Sequence, residues 1–276
     1  MDAATALTPP AGVTPRGRWM ITHPIPGPLL LVEDLVVEFD GFRALGGVNL
    51  AVPPGHLRIL IGPNGAGKST LCDAIIGRVP THSGQVLFKD AVITHLAEHE
   101  IVRRGICRKF QAPGVLANLT VGQNLALAAR RNRAWWRGLT GVAPASERAR
   151  VEEILALVNL TERREMLAGR LAHGEMQWLE IGMVVATDAD LLLLDEPTAG
   201  MGPADTARTA DLIKSLLGRH AVVVIDHDMS FIEALDGPVT VLHQGQILAE
   251  GSVAEIRADA EVRAVYLGRT KDAAHA

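Results

Sequence analysis

Residues 62–70, with the sequence GPNGAGKST, fit the phosphate-binding pattern G-x-x-x-x-G-K-[ST]. The glycines allow backbone conformations in which successive N–H groups point into one concavity. A helix that starts near Lys68 adds the positive end of its dipole, while Lys68 supplies a charge for the β- and γ-phosphates and the Ser69 hydroxyl a ligand for Mg²⁺. The predicted nucleotide-binding residues of this loop are Gly62, Pro63, Asn64, Gly65, Ala66, Gly67, Lys68, Ser69 and Thr70.

The alternative for this segment is a glycine-rich turn that binds nothing. Its context argues against that alternative, because the apolar run LRILIG (57–62) leads into it and the helix-like run STLCDAII (69–76) follows. A strand before the loop and a helix after it are the context that the phosphate-binding pattern requires.

Two adjacent carboxylates, Asp195 and Glu196, follow the apolar run LLLL at 191–194. A carboxylate at the carboxyl end of a strand lies at the sheet edge where ligands bind in open α/β folds. We predict that Asp195 holds Mg²⁺, directly or through water, and that Glu196 polarises a water that attacks the γ-phosphate. A solvated loop with two ordinary acids is the alternative, and the phosphate-binding loop argues against it, since phosphate binding without a metal partner is unusual.

One histidine also follows a predicted strand, because His227 comes directly after AVVVID (221–226). A single histidine in such a place is more often structural. Since two other strands end in predicted phosphate-binding residues, we interpret His227 as a γ-phosphate sensor. The other nine histidines are interpreted as structural or surface residues, with His173 as a partial exception.

Short apolar runs and helical segments alternate along the chain. The runs at 57–62, 191–197 and 221–228 predict buried strands, and their alternation with helices predicts a parallel sheet covered on both faces. Upstream, LLLVEDLVVEF and VNLAV predict further strands between about residues 29 and 52. We therefore predict an α/β fold.

The block 112–175 has a different character, with few β-branched runs and a helical spacing of apolar residues in SERARVEEILALVNL. We interpret it as a helical subdomain inserted into the α/β core. Within it, Trp135 and Trp136 suit either a contact with another subunit or packing inside the subdomain. Residues 1–28, rich in Ala, Thr, Pro and Gly, are predicted to be a disordered leader, and residues 269–276 a flexible tail.

Composition narrows the class of protein. The chain has 276 residues, 48% of them hydrophobic, and a net charge of −4, which argues against a basic nucleic-acid-binding face. Two cysteines cannot form a disulfide framework and are expected to be reduced. We found neither a secretory signal nor an apolar run of about 18 residues, so we expect no transmembrane segment.

The stretch LAHGEMQWLEIG (171–182) contains a polar, glycine-containing turn followed by a helical pattern. On its own it fits either an ordinary helix start or half of a phosphate site, and nothing within these residues decides between the two.

In this order, the motifs resemble those of the ATP-binding subunits of ABC transporters over roughly residues 29–268. The loop 62–70 corresponds to the Walker A motif and LLLLDEP to the Walker B motif. The resemblance implies a P-loop NTPase (RecA-like) parallel-sheet core with N-terminal antiparallel β elements and the inserted helical subdomain. It further implies that Gln111, in RKFQ, bridges Mg²⁺, the attacking water and the transmembrane partner, that His227 is the switch histidine, and that Phe39 stacks on adenine.

In the same resemblance, LAHGE occupies the place of the LSGGQ signature, which completes the ATP site of a partner subunit. Two positions depart from the commonest form: Ala172 replaces the serine and His173 replaces the first glycine. We expect the helix to run from Met176 onward and hypothesise that His173 donates to the partner's phosphate. The signature residues implied to act in trans are Leu171, Ala172, His173, Gly174 and Glu175.

The resemblance also implies an assembly that uses ATP and Mg²⁺. Two ATPase subunits, most often different proteins, meet head to tail beneath two membrane-spanning permeases, at the cytoplasmic side of the bacterial inner membrane, and a periplasmic solute-binding protein feeds them. Within this family, the segments GICRKFQAPGVLANLTVGQNLALA and VRAVYLG resemble the branched-chain amino acid importer class. The segments LAHGEMQWLEIGM, DEPTAGM and RTADLIKSLLGRHAVVVIDHDMSFI are most similar to the urea-importer branch, specifically its D-type ATPase subunit, and a branched-chain amino acid importer is the alternative. A non-transport ABC ATPase acting on DNA or ribosomes is the alternative from another class, and we expect no nucleic acid partner.

Overall fold

The computed structural model describes residues 27–109, 114–129 and 145–265, which form two sheets with helices around them. The first sheet is antiparallel, with the strand order β2-β1-β4-β5. Its strands are β1 (Leu30–Phe39), β2 (Phe42–Val52), β4 (Ser83–Phe88) and β5 (Ala91–Val92). The predicted N-terminal antiparallel elements are therefore confirmed.

The second sheet has six strands in the order β10-β9-β3-β8-β7-β6. The strands are β3 (Leu57–Ile61), β6 (Ile106–Arg108), β7 (Leu191–Asp195), β8 (Ala221–Ile225), β9 (Val239–His243) and β10 (Gln246–Gly251). Five of them run parallel, and β10 pairs antiparallel with β9 at one edge. The three apolar runs of the sequence form buried strands, as predicted, and the structure places them side by side in the middle of the sheet as β3, β8 and β7.

The helices lie on both sides of this sheet and in the inserted block. They are α1 (Lys68–Ile75), α2 (Glu98–Arg104), α3 (Val121–Ala129), α4 (Ala145–Leu157), α5 (His173–Ala186), α6 (Pro203–Leu216), α7 (Met229–Leu235) and α8 (Val253–Ala258). No helix in these described ranges is long and apolar enough to cross a bilayer.

Two apolar clusters fill the two faces of the six-stranded sheet. Along β7, Leu192 and Leu194 belong to one cluster, whereas Leu191 and Leu193 belong to the other. The first cluster packs against α3–α7, and the second lies between the two sheets with α1. This alternation explains the nearly continuous apolar runs, because a strand covered on both faces buries successive side chains and so favours apolar residues.

The inserted block contains α3, α4 and two 3-10 turns, Thr161–Arg163 and Ala168–Arg170, and both helices pack on α5. One predicted boundary was wrong, because α5 begins at His173 and not at Met176. Ala172 is the extended N-cap residue, and its N–H donates to the Glu175 carboxylate at 3.1 Å, which closes the first turn.

Several predictions fall on segments outside the described residues. These are the role of Gln111, the contacts of Trp135 and Trp136, most of the leader and the tail at 269–276. The division into a core and an inserted subdomain stays a prediction.

Candidate functional site

The loop between β3 and α1 has the geometry that its glycines allow. Gly65 and Gly67 have φ values of 80° and 103°, in the left-handed region. A Cβ on Gly67 would lie 2.8 Å from Leu45 and 2.9 Å from the Ala44 carbonyl, so glycine is also required by space. Gly67 is the N-cap of α1 and makes no side-chain hydrogen bond there, which leaves the first amides of the helix directed at the loop.

The Lys68 side chain folds back over this loop. Its Nζ donates to the carbonyls of Gly62 at 2.7 Å and Pro63 at 3.0 Å. Burial lowers the pKa of Lys68, and the nearby carboxylates of Glu196 and Asp195 partly offset that effect. The predicted phosphate-binding lysine and the predicted acidic pair therefore lie within electrostatic reach of one another.

Asp195 ends β7 and is buried, with 7% of its surface exposed. Its carboxylate accepts a hydrogen bond at 2.8 Å from the guanidinium of Arg108, which also contacts Asp73 at 2.5 Å. Arg108 thus joins the strand before Gln111 to the Walker B carboxylate and to α1. Sequence reasoning missed this residue, although a lone arginine inside the short apolar strand β6 is a usable signal.

The next residue, Lys109, contacts a different helix from the one that Arg108 contacts. It is buried, its Nζ lies 3.2 Å from Oε2 of Glu180, and it hydrogen-bonds Gln177. Both acceptors belong to α5, so Lys109 connects the strand before Gln111 to the signature helix. Burial lowers the pKa of Lys109, and Glu180 partly offsets this effect.

Glu196 and His227 meet at the carboxyl edge of the sheet. Nδ1 of His227 lies 3.6 Å from Oε1 of Glu196, and both side chains are about half-exposed or more. Glu196 has a φ of 44°, an uncommon value for a residue with a side chain, and its N–H donates to the Ile225 carbonyl at 2.8 Å. The backbone of Glu196 is thus held by the last residue of β8, the strand that leads to His227.

Asp226 holds the backbone around His227 through hydrogen bonds, and this role was not predicted from the sequence. It is 2% exposed and accepts the backbone N–H groups of His227 at 2.7 Å and Asp228 at 3.0 Å. It also accepts the Thr198 hydroxyl at 2.7 Å. The residue before His227 therefore fixes the histidine backbone and the loop that follows Glu196.

Polar groups of the signature loop form hydrogen bonds with other residues of the same chain. Glu175 accepts hydrogen bonds from Ala172 N–H and Arg163 Nε, both at 3.1 Å. Nε2 of His173 lies 2.8 Å from the Ala199 carbonyl, so this nitrogen donates to the chain itself and is not free for a phosphate. The hypothesis that His173 is a phosphate donor therefore has no support in this arrangement.

Phe39 lies at the end of β1 and is paired with Phe42 across a two-residue hairpin. Both rings are exposed, Phe39 at 43% and Phe42 at 69%. Directly opposite residues of an antiparallel pair point to the same face, so the two rings share one face. Phe42 is a second candidate for stacking on a base, and sequence reasoning did not consider it.

The oxygen donors near the loop fit Mg²⁺. Within the described ranges no three His, Cys, Asp or Glu residues cluster as a metal site. A site with one serine and one carboxylate suits an ion that takes its remaining ligands from phosphate and water. Ser69 is the second residue of α1, next to Lys68, and Asp195 lies within the electrostatic field of Lys68. These residues would hold the ion.

Comparisons with known proteins agree with this geometry. The family described as ABC transporter matches residues 45–199, and that described as branched-chain amino acid ATP-binding cassette transporter matches residues 246–272. The high-affinity branched-chain amino acid transport ATP-binding protein BraF of Pseudomonas aeruginosa is 36% identical, with 87% of this chain and 98% of BraF covered. LivG of Escherichia coli K12, with the same description, is 34% identical over the same shares.

Solved structures of ATP-binding cassettes from ABC transporters are also similar to this chain. A crystal structure of a nucleotide-free ATP-binding cassette from an ABC transporter matches with a TM-score of 0.75 and 30% identity, covering 87% of this chain and 98% of that one. A second, in an ADP conformation, has the same TM-score and identity, with 87% and 99% covered.

Proposed function

Because the chain belongs to the ATP-binding proteins of ABC transporters, within their branched-chain amino acid family, we propose that it powers an importer for branched-chain amino acids. The observation that carries the catalytic part is the convergence of Lys68, Asp195, Glu196 and His227 at one edge of the sheet. The relatives support this solute class, the alternative of the sequence analysis, over urea.

The hydrolytic chemistry follows from the positions of these side chains. Glu196 is the group suited to take a proton from the attacking water, because its carboxylate is half-exposed beyond the end of β7. His227, 3.6 Å away, orients that carboxylate and the water. Mg²⁺, when bound with ATP, neutralises charge on the phosphate oxygens, and Lys68 adds a further positive charge there.

The signature loop supports a head-to-tail pair of ATPase subunits. The first amides of α5 receive no side-chain cap hydrogen bond, and a helix end of this kind suits an anion. We infer that residues 171–175 complete the ATP site of a second subunit, a different protein in a heterodimer. The pair docks peripherally on two permeases at the cytoplasmic side of the inner membrane, and a solute-binding protein supplies them.

Uptake measurements test the solute. A strain that lacks this chain would be complemented with the wild type or with Glu196→Gln, and uptake of labelled leucine and labelled urea would be measured. We expect the wild type, and not Glu196→Gln, to restore leucine uptake. Restored urea uptake with no change for leucine would overturn the proposed solute.

Purification of the full chain from membranes tests the assembly. We expect two permeases and a second ATPase subunit to accompany it. Recovery with ribosomes or DNA and without membrane proteins would contradict the transport function itself.

A further inference from the structure

The start of α5 is joined to the loop that follows β7 by one side chain. Nε2–H of His173 donates to the Ala199 carbonyl, with 2.8 Å between nitrogen and oxygen. The two residues lie 26 positions apart in the chain, with α5 and β7 between them. The contact therefore joins two functional loops directly, by a path that does not pass through the helix and strand.

Gly200 is shaped to accept the imidazole ring. It has a φ of 73°, and a Cβ added to it would lie 2.9 Å from Nε2 and 3.1 Å from Cδ2 of His173. A side chain at this position would crowd the ring, so that the ring or the loop would have to shift. Glycine is thus favoured here both by its backbone conformation and by the position of the histidine ring.

The loop from Glu196 to Met201 is tightly connected within itself. Ala199 N–H donates to the Glu196 carbonyl at 3.2 Å, and Met201 N–H donates to the Thr198 carbonyl at 3.0 Å. The Thr198 hydroxyl contacts Asp226, whose carboxylate also holds the backbone of His227. Ala199 is therefore connected within one turn to Glu196 and, through Thr198 and Asp226, to the backbone of His227.

We propose that His173 is a positioning residue that couples the signature loop to the loop carrying Glu196 in the same chain. The inference rests on the proposed function for the roles of Glu196 and of the signature loop. When the first turn of α5 engages the nucleotide of the partner subunit, the His173–Ala199 bond moves the loop that sets the Glu196 carboxylate. The signature loop, which completes the ATP site of the partner subunit, is thereby linked to the ATP site of this chain that contains Glu196.

Amide hydrogen exchange on the isolated full chain tests the contact without reference to transport. His173→Phe keeps an aromatic ring and removes the donor, so we expect exchange of the amides of residues 199–201 to rise about tenfold. His173→Gln places an N–H near the original Nε2 position and is expected to restore slow exchange. His99→Phe, an exposed change on α2, is the control. Unchanged exchange in His173→Phe would overturn the proposal.

A double-mutant cycle tests the packing of the ring on Gly200. The shift of the urea midpoint caused by Gly200→Ala is expected to be roughly twice as large in the wild type as in His173→Ala. Gly218→Ala is the matched control, because Gly218 has a φ of 85° and nothing within 4 Å of an added Cβ. It should cause the same shift in both backgrounds. Equal shifts for Gly200→Ala would contradict the contact.

Turnover in the reconstituted complex tests the coupling. We expect His173→Phe to lower kcat about tenfold with little change in KM for ATP, and His173→Gln to restore kcat. A change confined to KM would indicate a phosphate ligand and overturn the positioning role. Because exchange is measured on the isolated chain, failure of the proposed solute leaves that result intact.

Discussion

Nδ1 of His227 lies 3.6 Å from Oε1 of Glu196, although the two residues follow different strands, β8 and β7. Parallel neighbours bring their carboxyl ends to the same edge, and the pairing of Asp195 with Ile225 sets the register that places the two side chains opposite each other. The proposed catalytic pair is thus a product of strand register, because the backbone of Glu196 is held by the strand that leads to His227.

Glu196→Gln should leave nucleotide binding intact and nearly abolish turnover. The amide keeps the size of the side chain but cannot accept a proton, so we expect kcat of the reconstituted complex to fall by about 10²–10⁴-fold. Steady-state ATP hydrolysis and ATP titration measure the two effects. The control is Glu165→Gln, an exposed carboxylate whose side chain is 76% exposed. Hydrolysis near the wild-type rate in Glu196→Gln would exclude the assigned base.

Lys68→Ala should weaken nucleotide binding itself. The ammonium lies over the phosphate-binding loop, 2.7 Å from the Gly62 carbonyl, and a hydrogen bond to a charged group contributes about 1.5–3 kcal/mol. We therefore expect the Kd for ATP to rise roughly 10–100-fold in titration calorimetry. Lys214→Ala, on the exposed side of α6, serves as the control. An unchanged Kd in Lys68→Ala would refute the role of this lysine.

Arg108→Met should destabilise the fold strongly. The change leaves the buried Asp195 and its neighbour Asp73 without the guanidinium that bridges them, which costs about 3–5 kcal/mol of unfolding free energy. Urea unfolding of the isolated chain measures it. The matched control is Arg43→Met, because Arg43 pairs with Glu38 at the surface and such pairs contribute at most about 1 kcal/mol. Similar losses for the two variants would contradict a buried bridge.

The Walker loop and the acidic pair were predictable because their chemistry lies in adjacent residues at a strand end. The arginine of β6 can be noticed in the sequence, but the pair of Arg108 with Asp195 could not be predicted, since the two are 87 residues apart and only the pairing of β6 with β7 brings them together. The start of α5 was placed too late because Ala172 has no side-chain acceptor, and the cap comes instead from Glu175. The His173–Ala199 bond likewise depends on how two loops fold over one another.

His220 should make the stability of the chain depend on pH. The residue is 2% exposed, and its Nδ1–H donates to the Ala189 carbonyl at 2.6 Å. Among the described residues, no group pairs with Nε2, so protonation would bury an N–H without a partner. Burial is the main cause that lowers the pKa of His220 below its ordinary value of 6.5.

The direction in which the unfolding free energy changes with pH follows from proton uptake by the unfolded chain. Below pH 6.5 the unfolded chain binds a proton at this histidine more readily than the native chain, so the unfolding free energy falls as the pH is lowered. The contribution of neutral His220 to the unfolding free energy is fully present above pH 6.5, and it decreases as the pH falls from there toward the lowered pKa of the native state. His220→Gln removes this titration, so urea unfolding between pH 7.5 and 5 should show a flatter pH dependence than the wild type. His99→Gln, on exposed α2, should keep the wild-type slope; an equally steep slope in His220→Gln would assign the effect to another group.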